Sequence, residues 1–284
     1  MDSQYYTPPQ FPPPRHSPWE KVKKFFGPLA VVGVLLAKFK ALLIPVLKFL
    51  PIILKTGGSM FLTIGVYAML YGWQFAVGFV VLIFVHECGH LIAAKRIGLK
   101  VGAPVFIPFM GAFIALKEAP RNAWIEAQVG IGGPILGSVG AALCLMFYRM
   151  TGQPIYSALA YVGFFLNLFN LAPVGFLDGG RIVSAISPWF WLVGIVIIGL
   201  MLFTHFNFIL LLIFIFSLPR LFSLFRPKSD VERRYFEVTP PQRLIMAVLY
   251  FGLAAALVYG MNLANTLAQS HLPERQEQPG RQAI

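Results

Sequence analysis

Two histidines and a glutamate lie in one otherwise apolar stretch of the chain. His86, Glu87 and His90 form an HExxH pattern inside the run 74–97. On a helix, residues four apart share one face, so both imidazoles can bind the same metal ion. Glu87 can reach a water on that metal without being a ligand itself. Ionisable side chains inside a hydrophobic span are costly, so the pattern predicts a metal site rather than satisfied core residues.

Asp178 is the expected third protein ligand, because a catalytic zinc site uses three protein ligands and keeps one position open. Pro173 and Gly175 should interrupt the helix before Asp178, and Gly179 permits a sharp turn after it. A carboxylate at such a break can point sideways at a metal. The alternative is an ordinary helix end in which Asp178 pairs with Arg181.

The other histidines and aspartates lie in polar segments or an expected turn: His16, His205, His271, Asp2 and Asp230.

The composition predicts an integral membrane protein. Of the 284 residues, 57% are hydrophobic and 12% are charged, about half the charge of a typical soluble domain. Such a chain lacks the polar surface that would enclose a soluble core. Cys88 and Cys144 both lie in apolar runs, which supports neither a disulfide framework nor a thiolate zinc cluster.

The apolar runs predict an all-α polytopic protein of about six to seven transmembrane helices around a three-span catalytic core. The run 189–218 is interrupted at 204–207 and is interpreted as a hairpin of two short spans. The run 101–116 is β-branched and punctuated by Gly and Pro, which predicts a β-hairpin embedded in the membrane. The other expected spans are 57–73, 74–97, 123–148, 155–177 and 243–264.

The net charge of +12 is explained by orientation. With a cytoplasmic N-terminus, 20 of the 23 basic residues fall on the cytoplasmic side of this layout, as the positive-inside rule requires. The site residues of the second and fourth spans then lie on that same side. The sequence therefore predicts a multi-pass protein of the cell membrane, with the lipid bilayer as a partner and no nucleic-acid partner.

The expected organisation has seven parts. They are a Pro-rich disordered tail (1–18), a basic amphipathic interfacial segment (19–55), the catalytic transmembrane core (56–185), a helical hairpin (186–219), a basic cytoplasmic loop (220–242), the last transmembrane helix (243–265) and a polar tail (266–284).

The paired motifs HECGH and NLAPVGFLDGG (170–180) resemble those of the site-2 protease family, the intramembrane zinc metalloproteases of peptidase family M50. The segment GIGGP (130–134) resembles the family's small-residue element. The resemblance implies that His86, His90 and Asp178 hold Zn²⁺, with Glu87 as general base on a zinc-activated water. It further implies that the amide of Asn170 stabilises an oxyanion, and that 101–116 pairs with an unwound substrate.

The sequence thus favours an intramembrane zinc metalloendopeptidase that cleaves single-span membrane proteins near the cytoplasmic face. Two alternatives use the same residues differently. One is a metal-ion transporter with His86, Glu87, His90 and Asp178 as its translocation site. The other is a non-catalytic membrane protein that only binds partners.

Overall fold

The computed structural model describes residues 56–109 and 111–270. The Pro-rich tail (1–18), the basic segment (19–55) and residues 271–284 of the polar tail lie outside the described residues. The expected cytoplasmic N-terminus lies outside them as well.

The described residues form nine helices and one small sheet. In chain order they are α1 (Thr56–Tyr71), α2 (Trp73–Arg96), β1 (Val101–Ile107), β2 (Gly111–Leu116), α3 (Ala123–Thr151), α4 (Pro154–Asn170), α5 (Asp178–Ile186), α6 (Phe190–Thr204), α7 (Phe208–Ser223), α8 (Asp230–Tyr235) and α9 (Pro240–Ser270).

Three of these helices, α2, α3 and α9, are long and apolar enough to cross a membrane by length and composition. Helices α1, α6 and α7 are apolar but shorter. Large apolar side chains face outward on them; Phe203 is 91% exposed and Met69 is 88% exposed. Such surfaces suit lipid, and this is the architecture of an integral membrane protein. The expected number of six to seven spans stays a prediction.

The expected hairpin is present as two antiparallel strands, β1 and β2, within the mainly helical fold. Helix α1 holds it from one side: Phe106 N–H donates to Ser59 Oγ at 3.0 Å, and Phe109 N–H donates to Tyr67 Oη at 3.0 Å. The backbone turns through Phe109 and Gly111, which both have positive φ. The hairpin is therefore anchored to α1, and both strands also contact α2, the helix that carries HExxH.

Helices α2 and α3 pack at very close range because glycines face each other. A Cβ atom added to Gly89 would lie 2.1 Å from the carbonyl oxygen of Gly132. The small-residue segment 130–134 thus lets the backbone of α3 approach the HExxH turn directly.

The fourth apolar run is helical only as far as Asn170, seven residues before the end of the expected span. Residues 171–177 are irregular, and α5 begins at Asp178. Pro173 lies in this break, as expected. Tyr250 of α9 donates its hydroxyl to the carbonyl of Leu171 at 2.6 Å and so fixes the start of the break.

The run 189–218 lies in two helices, α6 and α7, which are joined by residues 205–207. The side chain of Asn207 accepts from Ile209 N–H and caps α7. Residues of both helices pack with Val174 and Leu177 in one apolar cluster, which covers the irregular segment. Helix α9 extends past the expected last span, so residues 266–270 of the polar tail are helical.

Candidate metal centre

Three side chains from two distant parts of the chain meet at one buried point. Asp178 Oδ2 lies 3.1 Å from His86 Nε2 and 3.2 Å from His90 Nε2. The two Nε2 atoms lie 3.1 Å apart. The residues are 4–8% exposed. Helix α2 supplies both imidazoles because positions 86 and 90 are one helical turn apart, and the first residue of α5 supplies the carboxylate.

Asn167 of α4 decides which nitrogen of His86 carries the proton. Its Nδ2 donates to the carbonyl of Gly163 at 2.7 Å, which turns Oδ1 toward His86 Nδ1 at 2.8 Å. An amide oxygen is an acceptor only, so Nδ1 must carry the hydrogen and donate it. Nε2 of His86 is then left with its lone pair facing the site.

His90 is oriented in the same way by the backbone of α3. Its Nδ1 donates to the carbonyl of Val129 at 2.8 Å, so its Nε2 also presents a lone pair. Gly133 makes room for this ring, since a Cβ atom at that position would lie 2.3 Å from His90 Nε2. Hydrogen bonding of the second ring nitrogen to an amide or a carbonyl is typical of histidines that bind metals.

Three hydrogen-bond acceptors facing one another repel unless a cation lies between them. The triangle of 3.1, 3.1 and 3.2 Å fits zinc, because tetrahedral ligands at about 2.0 Å from a zinc ion are about 3.3 Å apart. Two imidazoles and one carboxylate are also a known catalytic zinc set that leaves the fourth position free. Among the described residues this trio is the group that could hold a metal ion.

Glu87 lies beside the trio but outside it. It is 6% exposed and lines a cavity of about 420 Å³. One wall of this cavity is α2, from Phe84 to Lys95, and the other is Val101–Pro104 of β1. Glu87 is therefore the residue that links this cavity to the trio, since His86, His90 and Asp178 do not line it.

The alternative pairing of Asp178 with Arg181 is not among the described ion pairs, in which Asp178 pairs with the two imidazoles.

Asn170 is the last residue of α4 and is partly buried. Asn167, three residues earlier, is the amide that contacts His86. Asn167 is not among the site residues predicted from the sequence. A polar amide in an apolar helix is the signal that could have identified it.

Glu126, in the first turn of α3, makes polar contacts with two other helices. Its side chain is 14% exposed and pairs with Arg220 of α7 at 3.2 Å. Tyr235 of α8 donates to its second oxygen. Lys95 lines the cavity near Glu87.

Residues 74–158 of this chain match the model of peptidase family M50. The resemblance to that family is confirmed. The M50-like region contains HExxH and the glycine-rich part of α3, whereas Asp178 lies beyond it.

Proteins similar to this chain are named zinc metalloproteases. One from Methanocaldococcus jannaschii is 30% identical over 119 residues, which are 39% of this chain and 34% of that protein. The "probable zinc metalloprotease EGY2, chloroplastic" of Oryza sativa is 26% identical over 229 residues, 63% of this chain and 41% of that protein. The chain thus spans well under half the length of these curated relatives. The solved site-2 protease from Methanocaldococcus jannaschii aligns with a TM-score of 0.40 and 21% identity, over 60% of this chain and 88% of that one.

Proposed function

We propose that this protein is an intramembrane zinc metalloprotease that hydrolyses peptide bonds of membrane-embedded substrates near the cytoplasmic face. The observation that carries the proposal is the triangle of lone pairs from His86, His90 and Asp178, with Glu87 beside it on a cavity. The names of the similar proteins support the same chemistry.

A zinc ion bound by the three residues would act as a Lewis acid and lower the pKa of a coordinated water to about 7. With that metal bound, Glu87 would accept the proton of the attacking water and deliver it to the nitrogen of the leaving segment. Its place on the cavity wall, next to two metal ligands on the same helix, suits both transfers. Asn167 and the carbonyl of Val129 hold the imidazoles throughout.

The direct test uses purified protein in liposomes with a single-span substrate. We expect cleavage by the zinc-loaded protein, loss of cleavage after chelation, and recovery when zinc is added back. Zinc flux across the liposome membrane without any cleavage would instead support the transporter alternative and contradict the proposal.

The two asparagines of α4 have separable roles in this proposal. Asn167→Ala removes the acceptor that fixes the His86 ring, so zinc affinity should fall about tenfold or more. Asn170→Ala should leave zinc affinity unchanged and lower kcat by about 10²-fold, as expected for an oxyanion donor. Zinc titration and single-turnover cleavage measure the two effects. An Asn170→Ala protein with unchanged kcat would remove Asn170 from the mechanism.

The hairpin offers one edge for an unwound substrate. The outer edge of β1 cannot donate to a substrate strand at residues 104 and 106. Pro104 has no N–H, and the N–H of Phe106 already donates to Ser59. Phe106 pairs with Ala112, and Pro104 pairs with Ile114. In an antiparallel pair, residues directly opposite each other point their N–H groups either both inward or both outward, so the N–H groups of Ala112 and Ile114 point away from β1. We propose that the substrate strand adds to β2 at this edge.

Ile114→Pro tests this edge, because an edge strand tolerates proline where the N–H faces outward. Loss of one hydrogen bond to the substrate should raise KM about five- to tenfold. Ile114→Ala keeps the N–H and serves as the control for the lost side chain. Equal KM values for the two variants would show that the β2 edge does not bind substrate.

A further inference from the structure

A second polar cluster surrounds the first turn of α5 and joins five helices. Its members are Glu126 of α3, the carbonyl of Gly180 in α5, Trp191 of α6, Arg220 of α7 and Tyr235 of α8. Trp191 is 3% exposed, and Arg220 and Glu126 have side chains 33% and 14% exposed. None of these side chains is among the metal ligands.

Two members of the cluster donate to the same backbone atom of α5. The carbonyl oxygen of Gly180 accepts from Trp191 Nε1 at 2.8 Å and from Arg220 Nη1 at 3.4 Å. The other arm of the guanidinium, Nη2, binds Glu126 Oε1 at 3.2 Å. The guanidinium carbon also lies 5.3 Å from the centre of the Trp191 ring, within the range of a cation–π contact.

Tyr235 attaches α8 to the same carboxylate. Its hydroxyl donates to Glu126 Oε2, while burial and the neighbouring Glu126 charge raise the pKa of the phenol above its ordinary value. The phenol therefore stays protonated and remains a donor at neutral pH. Glu126 is held on both oxygens, one by Arg220 and one by Tyr235.

The first turn of α5 depends on such external contacts. The helix has nine residues, and its N-cap residue Leu177 makes no side-chain capping bond. The preceding residues 171–177 are irregular. A helix this short is not stable by itself, so packing and hydrogen bonds from neighbouring helices determine where Asp178 points.

We propose that Glu126, Trp191, Arg220 and Tyr235 are positioning residues that hold the Gly180 turn, and with it the Asp178 carboxylate, in place for metal binding. The inference rests on the proposed function only in taking Asp178 as a metal ligand. It makes α8 and the basic segment 220–242 a structural support of the metal centre.

The test measures zinc affinity by competition with a chelator, together with the melting temperature of the zinc-free protein. Glu126→Gln and Arg220→Gln should each weaken zinc binding about tenfold, as partners outside the ligand set commonly do. The double variant should lose little more than either single one, because both substitutions break the same chain of contacts. Tyr235→Phe removes a single hydroxyl and should give a smaller loss, about threefold.

Arg243→Gln is the matched control. Arg243 donates to the carbonyls of Ala185 and Ile186 at 3.4 and 2.7 Å, so it supports the opposite end of the same helix. This variant should lower the melting temperature of the zinc-free protein while its zinc affinity stays within about twofold.

Different results would overturn the proposed function and the positioning role. If the unsubstituted protein does not bind zinc at this site, the proposed function itself is overturned. If it binds zinc, and Glu126→Gln and Tyr235→Phe bind as tightly as Arg243→Gln, the positioning role is overturned. These two variants keep the test decisive if Arg220→Gln does not fold.

Discussion

Glu87→Gln should abolish cleavage while leaving the metal in place. Glutamine keeps the size of the side chain but cannot accept the proton of the attacking water, which should lower the cleavage rate by about 10³-fold or more. Glu87 lies outside the triangle formed by His86, His90 and Asp178, so zinc content should stay at the level of the parent protein. Metal analysis and cleavage of a single-span substrate are measured on the same preparation.

Glu118→Gln is the control for this substitution. Glu118 pairs with Lys100 near the base of the hairpin, and both side chains are at least half exposed. An exposed pair contributes little to stability, so this variant should cleave as the parent does. Cleavage retained in Glu87→Gln would contradict the assignment of Glu87 as the general base.

Asp178→Asn should remove the metal itself. The substitution keeps the shape of the side chain but takes away the negative charge that faces the two Nε2 lone pairs. An amide is a much weaker zinc ligand than a carboxylate, and we expect zinc affinity to fall by about 100-fold or more, with loss of cleavage. Competition with a chelator gives the affinity, and added zinc should restore cleavage only in part.

Asp230→Asn provides the comparison. Asp230 is exposed in the first turn of α8, away from the trio of ligands. Its substitution should leave zinc affinity and cleavage unchanged. If Asp178→Asn bound zinc as tightly as Asp230→Asn, the third ligand would have to be another residue.

The cluster of His86, His90 and Asp178 was largely predictable from the sequence for a physical reason. His86 and His90 are four residues apart on one helix, so their shared face follows from helix geometry alone. Ionisable groups are scarce in the apolar runs, which left Asp178 as the available third ligand. The break before α5 follows from Pro173, and the hairpin at 101–116 from its Gly and Pro punctuation.

Other parts of the site depend on packing between elements far apart in the chain. Asn167 and Asn170 are three residues apart on one helix, and only the packing of α4 against α2 brings Asn167 to His86. Arg220 reaches both Glu126 and Gly180 because α7 returns beside α6, and no pattern in the run 189–218 indicates these two partners. Local residue types and spacing therefore predicted the three side chains that meet in the cluster, and the membrane setting. The tertiary structure decided the proton positions on the imidazoles and the support of Asp178, because hydrogen bonds between separate helices depend on how those helices pack.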